Sequence, residues 1–98
     1  MRPSSVFVSE AAKEILRHLH PTSKKAIRTA LDDLREHPFQ GKPLVAELAG
    51  LWSLPVARYR IIYRPDSRGV TVVYIGPRRD VYETLRDLLT QGKPVSQA

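Results

Sequence analysis

The sequence contains no cysteine. This absence excludes a disulfide framework, thiolate chemistry and the cysteine spacings of zinc fingers. No apolar run is long enough for a signal peptide or a membrane span, so we expect a soluble protein of the reducing cytosol with no membrane partner. In the second half, Asp66 and Asp80 lack ligand spacing and no histidine pair stands at a metal-binding interval. The sequence therefore predicts neither a metal site nor a cofactor.

Positive charge is what the chain has in excess. Its 16 Lys and Arg against 10 Asp and Glu give a formal net charge of +6. Residues 51–98 contain eight cations against four carboxylates, and seven of those eight cations are arginines. Because the guanidinium is a flat fork that matches phosphate oxygens in pairs, this bias favours a polyanionic partner such as RNA, DNA or an acidic protein. The alternative is a solvated positive surface without a specific ligand.

The length of 98 residues is that of one domain, and a hydrophobic fraction of 42% is typical of a globular protein. We expect a single domain over 1–98, with its core at about 5–90 and a flexible tail at 91–98. No internal repeat interrupts it.

The chain begins with a predicted strand and helix. The apolar run S-S-V-F-V over 4–8 indicates a first strand. Apolar residues at helical spacing then predict a helix over about 10–19, with Ser9 as its N-cap.

A second helix is predicted over about 23–37, where one apolar stripe is surrounded by charged residues. Pro21 separates it from the first helix, and Thr22 or Ser23 can cap its start. Pro38 ends it. Because the connection is short, we expect the two helices to form a hairpin.

Strand patterns dominate the rest of the chain. The predicted strands are L-V-A-E-L (44–48), L-W-S-L-P-V-A (51–57), R-Y-R-I-I-Y-R (58–64) and V-T-V-V-Y-I (70–75). Pro55 cannot donate a ladder hydrogen bond, so its strand lies at an edge or is bulged there. Residues 65–69 predict a hairpin loop, and 81–90 a short C-terminal helix. This order predicts an α+β fold, in which an N-terminal strand and a helical hairpin pack on a small antiparallel sheet.

The alternation of side chains assigns the arginines to one face of that sheet. Against the helices it places Tyr59, Ile61 and Tyr63. On the opposite, uncovered face it places Arg58, Arg60, Ile62 and Arg64. In the next strand it groups Thr71, Val73 and Ile75 on one face, and Val70, Val72 and Tyr74 on the other. Arg78 and Arg79 follow that strand and can meet the arginines of its neighbour.

Arginines that converge near a tyrosine suit phosphate binding and the stabilisation of extra charge on phosphorus. Nearby positive charge favours the phenolate of Tyr82, which could take a proton from a ribose 2′-hydroxyl. The purely structural alternative is a solvated arginine face without a ligand, on which Tyr82 only packs. We interpret Trp52 as a core or hairpin anchor rather than a base-stacking platform, and His18, His20 and His37 as surface residues. Glu47 is a minor candidate for a general base.

The segments G-L-W-S-L-P-V-A-R-Y-R-I-I-Y-R (50–64) and Y-I-G-P-R-R-D-V-Y (74–82) resemble the RelE/ParE superfamily of bacterial and archaeal toxins, closer to its RelE branch. The resemblance extends over about residues 5–90. It implies a RelE-like, microbial RNase-like fold. It does not decide the activity, because one branch cleaves mRNA in the ribosomal A site and the other poisons DNA gyrase.

The resemblance implies roles for individual residues. Arg60 matches the strand arginine that stabilises the scissile phosphate. Arg78 matches a second phosphate arginine that can protonate the leaving 5′-oxygen, and Arg79 is an alternative for that place. Tyr82 matches the C-terminal tyrosine that stacks on the nucleotide and can act as base. The remaining arginines are assigned to phosphate binding: Arg58, Arg64 and Arg79. The expected product is a 2′,3′-cyclic phosphate with a 5′-hydroxyl.

One departure concerns two lysines that the best-known RelE nucleases carry two residues apart. Their places correspond to Ser53 and Pro55 here. The general base is therefore open among Tyr82, a histidine and Glu47, and Arg58 can supply missing charge.

The resemblance also implies partners. They are a RelB-like, acidic antitoxin, the ribosome and mRNA, with operator DNA reached only through the antitoxin. The expected function is that of a type II toxin that cleaves mRNA on the ribosome without a metal and so inhibits translation. The alternatives are a ParE-like gyrase inhibitor and a degenerate toxin that serves only as an antitoxin-binding co-repressor.

Overall fold

The computed structural model describes residues 5–77. Two α-helices pack on a mixed sheet of five strands in the order β1-β5-β4-β3-β2, which confirms the predicted α+β class. The strands are β1 (Ser5–Val8), β2 (Lys42–Pro43), β3 (Trp52–Val56), β4 (Tyr59–Asp66) and β5 (Gly69–Pro77). The predicted C-terminal helix over 81–90 and the tail over 91–98 lie outside the described residues. No helix within 5–77 has the length and apolarity needed to cross a bilayer.

Helix α1 (Glu10–Arg17) begins where the sequence predicts and ends two residues earlier. Ser9 is its N-cap, as predicted: its Oγ accepts a hydrogen bond from Ala12 N at 3.1 Å and donates one to Val73 O at 3.1 Å. A single hydroxyl thus caps the helix and attaches it to the central sheet.

Helix α2 (Pro21–Glu36) starts earlier than predicted. Its N-cap is His20, whose Nδ1 accepts a hydrogen bond from Thr22 N at 3.2 Å, so the assignment of the cap to Thr22 or Ser23 was wrong. Pro21 opens the helix instead of preceding it. Proline fits this first position because its missing N–H has no partner there in any helix.

The predicted strand over 44–48 is wrong. The segment instead contains a 3-10 helix (Ala46–Leu48), and β2 lies just before it at Lys42–Pro43. The backbone of Ala46 has a φ of 57°, a left-handed conformation that interrupts any strand. This reversal places Leu48 and Leu51 on the sheet face opposite the helices, where they contact Ile62.

Strands β3, β4 and β5 form an antiparallel meander, in agreement with the predicted antiparallel sheet, and β1 adds to it in parallel with β5. Pro55 stands on β3 beyond the two residues that pair with β2, so it lies at a local edge, as predicted. The hairpin loop between β4 and β5 is shorter than predicted, because Asp66 and Gly69 still pair with each other. Asp66 Oδ1 closes this turn by accepting hydrogen bonds from Arg68 N and Gly69 N.

The register of β4 and β5 contains an irregularity that simple alternation does not predict. Ile62 pairs with Tyr74 while Tyr63 pairs with Val72, so Val73 is an extra residue on β5. A bulge of this kind shifts the alternation by one position. Ile75 therefore joins Val70 and Val72 on the helix side, and Tyr74 joins Val73 on the opposite face, which corrects the predicted grouping.

The main core lies between the helices and the sheet. Ile61 and Tyr63 are fully buried in it and Tyr59 packs against it, as predicted from the pattern of β4. Trp52 also packs there, with Phe39 at a ring distance of 5.2 Å, which confirms it as a core anchor.

Tyr63 makes the stability of the protein depend on pH. Burial raises the pKa of its hydroxyl above 10.0, and a hydrogen bond from Gly41 N at 3.1 Å offsets only part of that rise. The unfolded chain ionises first, so this contribution is complete below pH 10 and is lost as the pH rises further. Tyr63→Phe should lower the free energy of unfolding by about 1–2 kcal/mol at neutral pH and flatten its decline above pH 10.

Urea denaturation at neutral and alkaline pH measures both effects. Tyr59→Phe, on the same strand and face, is the control and should keep the alkaline decline of the unsubstituted protein. An equal decline in Tyr63→Phe would contradict this account.

Candidate phosphate-binding face

The sheet face opposite the helices carries the candidate site. Directly opposed residues of paired strands project to the same side. One row on this face therefore contains Pro55, Arg60 and Gly76, and the next contains Lys42, Ser53, Ile62 and Tyr74. We call these two rows the phosphate face.

Arg60 is the central cation of the phosphate face. Its side chain is half-buried, and NH1 donates a hydrogen bond to Ser53 Oγ at 3.0 Å. Ser53 itself is only 1% exposed. A guanidinium held in this way is fixed in orientation before any ligand arrives, which is the condition for effective electrostatic stabilisation of a charged transition state.

The other predicted arginines of β4 do not gather around Arg60. Arg58 lies in the exposed turn between Val56 and Tyr59, not in the strand. Arg64 shares the face with Arg60 but is four residues away, or roughly 13 Å along the strand. Ile62 lies between them, fully buried beneath Leu48 and Leu51. The expectation of an uncovered face is therefore wrong for its central part.

Tyr74 is a candidate site residue that the sequence analysis did not identify. Its ring lies over Gly76, where an added Cβ would stand 2.7 Å from Tyr74 Cε2. Gly76 is the β5 partner of Arg60, so an aromatic ring lies beside the row of that guanidinium. The spacing Y-x-G could have indicated an aromatic ring over a glycine, but the bulge at Val73 shifts the alternation, so a simple period of two assigns Tyr74 to the wrong face.

Lys42 is the second residue missed. It is exposed and directly opposes Ser53, the residue that binds Arg60. Opposed Cβ atoms are about 5 Å apart, so the longer lysine side chain can bring its ammonium group near the Arg60 guanidinium that Ser53 holds. Its position could be recognised only by placing β2 at Lys42–Pro43 rather than further along the chain.

Of the remaining candidate residues, some lie within the described part of the chain and others lie outside it. Arg78, Arg79 and Tyr82 lie outside the described residues. Glu47 is exposed on the 3-10 helix. His18, His20 and His37 are exposed at the helix ends, as expected from the sequence. Within residues 5–77, no group of three histidine, aspartate or glutamate side chains could hold a metal ion.

Comparison with known proteins shows the family. The model of a family described as the ParE toxin of type II toxin–antitoxin systems, parDE, matches residues 6–82. Toxin RelG of Mycobacterium tuberculosis is 37% identical over 82% of this chain and 97% of its own length.

Solved structures agree. The toxin–antitoxin complex RelBE2 of M. tuberculosis matches with a TM-score of 0.73 and 32% identity, over 79% of this chain and all of that one. A free mutant of Escherichia coli RelE shares the fold, with a TM-score of 0.71 and 17% identity over 92% of this chain and 98% of that one. The chain belongs to the RelE/ParE superfamily of toxins from type II toxin–antitoxin systems.

Proposed function

We propose that this toxin cleaves mRNA on the ribosome and thereby inhibits translation. The observation that carries the proposal is the half-buried Arg60, whose guanidinium is held by Ser53 on the same sheet face as the ring of Tyr74. Binding alone does not require an arginine to be fixed in this way, whereas stabilisation of charge in a transition state does. The M. tuberculosis relatives of the RelE type further support this choice.

The proposed reaction is attack of a ribose 2′-hydroxyl on its own phosphate. The bond from 2′-oxygen to phosphorus forms and the bond to the 5′-oxygen breaks, which leaves a 2′,3′-cyclic phosphate and a 5′-hydroxyl. Arg60 stabilises the extra negative charge on phosphorus, Lys42 adds a second cation, and Tyr74 stacks on a base. Arg78 protonates the 5′-oxygen, and the proton of the 2′-hydroxyl goes to Tyr82, a histidine or Glu47.

We further propose that a cognate acidic antitoxin restrains the toxin. The complexes of RelBE2 and of other relatives with their antitoxins support such a partner. A net charge of +6 suits an acidic chain as well as RNA. Contact with operator DNA would then pass through the antitoxin, and the site of action would be the cytoplasm, where ribosomes are.

Inhibition of DNA gyrase is the second candidate, because the matching family model describes ParE toxins. Inducing the chain alone in bacteria and mapping mRNA 5′ ends separates the candidates. We expect cuts at a fixed position within codons of translated messages, with 5′-hydroxyl ends, soon after induction. DNA breaks with intact mRNA would select gyrase. Absence of any growth arrest would leave only the co-repressor.

A further inference from the structure

A basic groove lies between the two helices, on the side of the sheet opposite the phosphate face. It has a volume of about 160 Å³. Its lining consists of Lys13, Leu16, Arg17, Lys24 and Arg28. Four of these five side chains are cations, so the groove concentrates positive charge at a place remote from Arg60.

The four cations form two matched pairs. Lys13 and Arg17 are four residues apart on α1, and Lys24 and Arg28 are four residues apart on α2. Residues at this spacing are neighbours on a helix surface, and like charges there destabilise the helix slightly. Both helices therefore carry an electrostatic cost along the same groove, which a bound polyanion would reverse.

Internal ion pairs neutralise this charge only weakly. Lys13 lies 3.6 Å from Glu10, and Arg17 lies 3.0 Å from Glu14, but all four side chains are more than half exposed. Exposed pairs of this kind contribute little to stability and exchange readily for another anion. Among residues 5–77, no carboxylate pairs with Lys24 or Arg28, and Lys24 Nζ turns to Arg17 O at 3.5 Å.

We propose that this groove binds the sugar–phosphate backbone of a folded RNA, as a second contact separate from the phosphate face. Two rows of cations, one on each helix lining the groove, provide several phosphate contacts at once. An acidic peptide fits less well, because tight peptide binding needs apolar anchors and Leu16 is the one apolar side chain lining the groove. The choice of RNA over DNA rests on the proposed function.

Salt-dependent binding to a fluorescein-labelled RNA hairpin tests the groove in the full chain. Lys24→Gln/Arg28→Gln should lower the slope of log Kobs against log salt by about 2, since each phosphate contact contributes roughly 0.9. Lys25→Gln/Arg35→Gln is the matched control. It removes the same residue types from the same helix, at exposed positions outside the groove, and should leave the slope nearly unchanged.

Glutamine is a good helix former, so both double variants should melt at similar temperatures. Equal slopes for the two double variants would overturn the proposal. So would a groove variant that loses binding to poly-L-glutamate while keeping its affinity for RNA, because the groove would then bind acidic protein. Repeating the titration with Arg60→Gln added separates the groove from cleavage: the groove effect should persist there even if the proposed nuclease activity is wrong.

Discussion

Replacement of Arg60 by glutamine should lower the proposed mRNA cleavage by about 10²–10³-fold and relieve the growth arrest expected when the toxin is induced alone. This magnitude is typical of removing one fixed donor from a site that stabilises developing negative charge. Glutamine keeps a donor able to reach Ser53 Oγ but carries no charge and no fork. Lysine at the same position should also fail, because an ammonium on a flexible stem cannot reproduce an orientation set by Ser53.

The control for Arg60 is Arg68→Gln, which removes an arginine of the same charge outside the strands. Arg68 lies in the exposed turn between β4 and β5, over the ring of Phe7 at 5.5 Å, and it belongs to neither row of the phosphate face. We expect this variant to arrest growth like the unsubstituted toxin. Thermal melting must show that Arg60→Gln remains folded. Full toxicity of a folded Arg60→Gln variant would remove the basis for a nuclease and favour gyrase inhibition.

The parts of the fold that follow local rules could be predicted from the sequence. Alternation along β4 correctly placed Ile61 and Tyr63 in the core and Arg60 on the opposite face, since a strand has a period of two. Ser9 was recognisable as a cap because a serine before a helical pattern satisfies a backbone N–H of the first turn.

What the sequence did not reveal depends on contacts between distant segments. Nothing in V-T-V-V-Y-I marks Val73 as a bulge, because the insertion is defined only by the register with β4. Nor does the sequence indicate the left-handed conformation of Ala46, since alanine rarely adopts it. These two features decide that Tyr74 lies on the same sheet face as Arg60 and that leucines cover Ile62. The unrecognised candidate site residues and the misplaced strand therefore both result from contacts between segments that are distant in the sequence.

Ser53→Lys is expected to destroy the proposed activity, although it introduces a lysine at a place where the resemblance to RelE nucleases implies one. Position 53 is 1% exposed, and Arg60 NH1 already lies 3.0 Å from its Oγ. A lysine here must either bury an ammonium against a guanidinium or displace the Arg60 side chain. Burial of an uncompensated charge typically costs about 3–5 kcal/mol. We expect urea denaturation to show a loss of this size, together with loss of mRNA cleavage.

Pro55→Lys is the matched control, two residues along the same strand. Pro55 is exposed, lies beyond the end of β2 and shares the row of Arg60. A lysine there keeps its ammonium in water, so stability should change by no more than about 0.5 kcal/mol and cleavage should persist or rise. If Ser53→Lys were instead as stable as the unsubstituted toxin and cut mRNA faster, the contact between Ser53 and Arg60 would not organise the site. In that case the positive charge at position 53, rather than the fixed guanidinium, would be what the reaction requires.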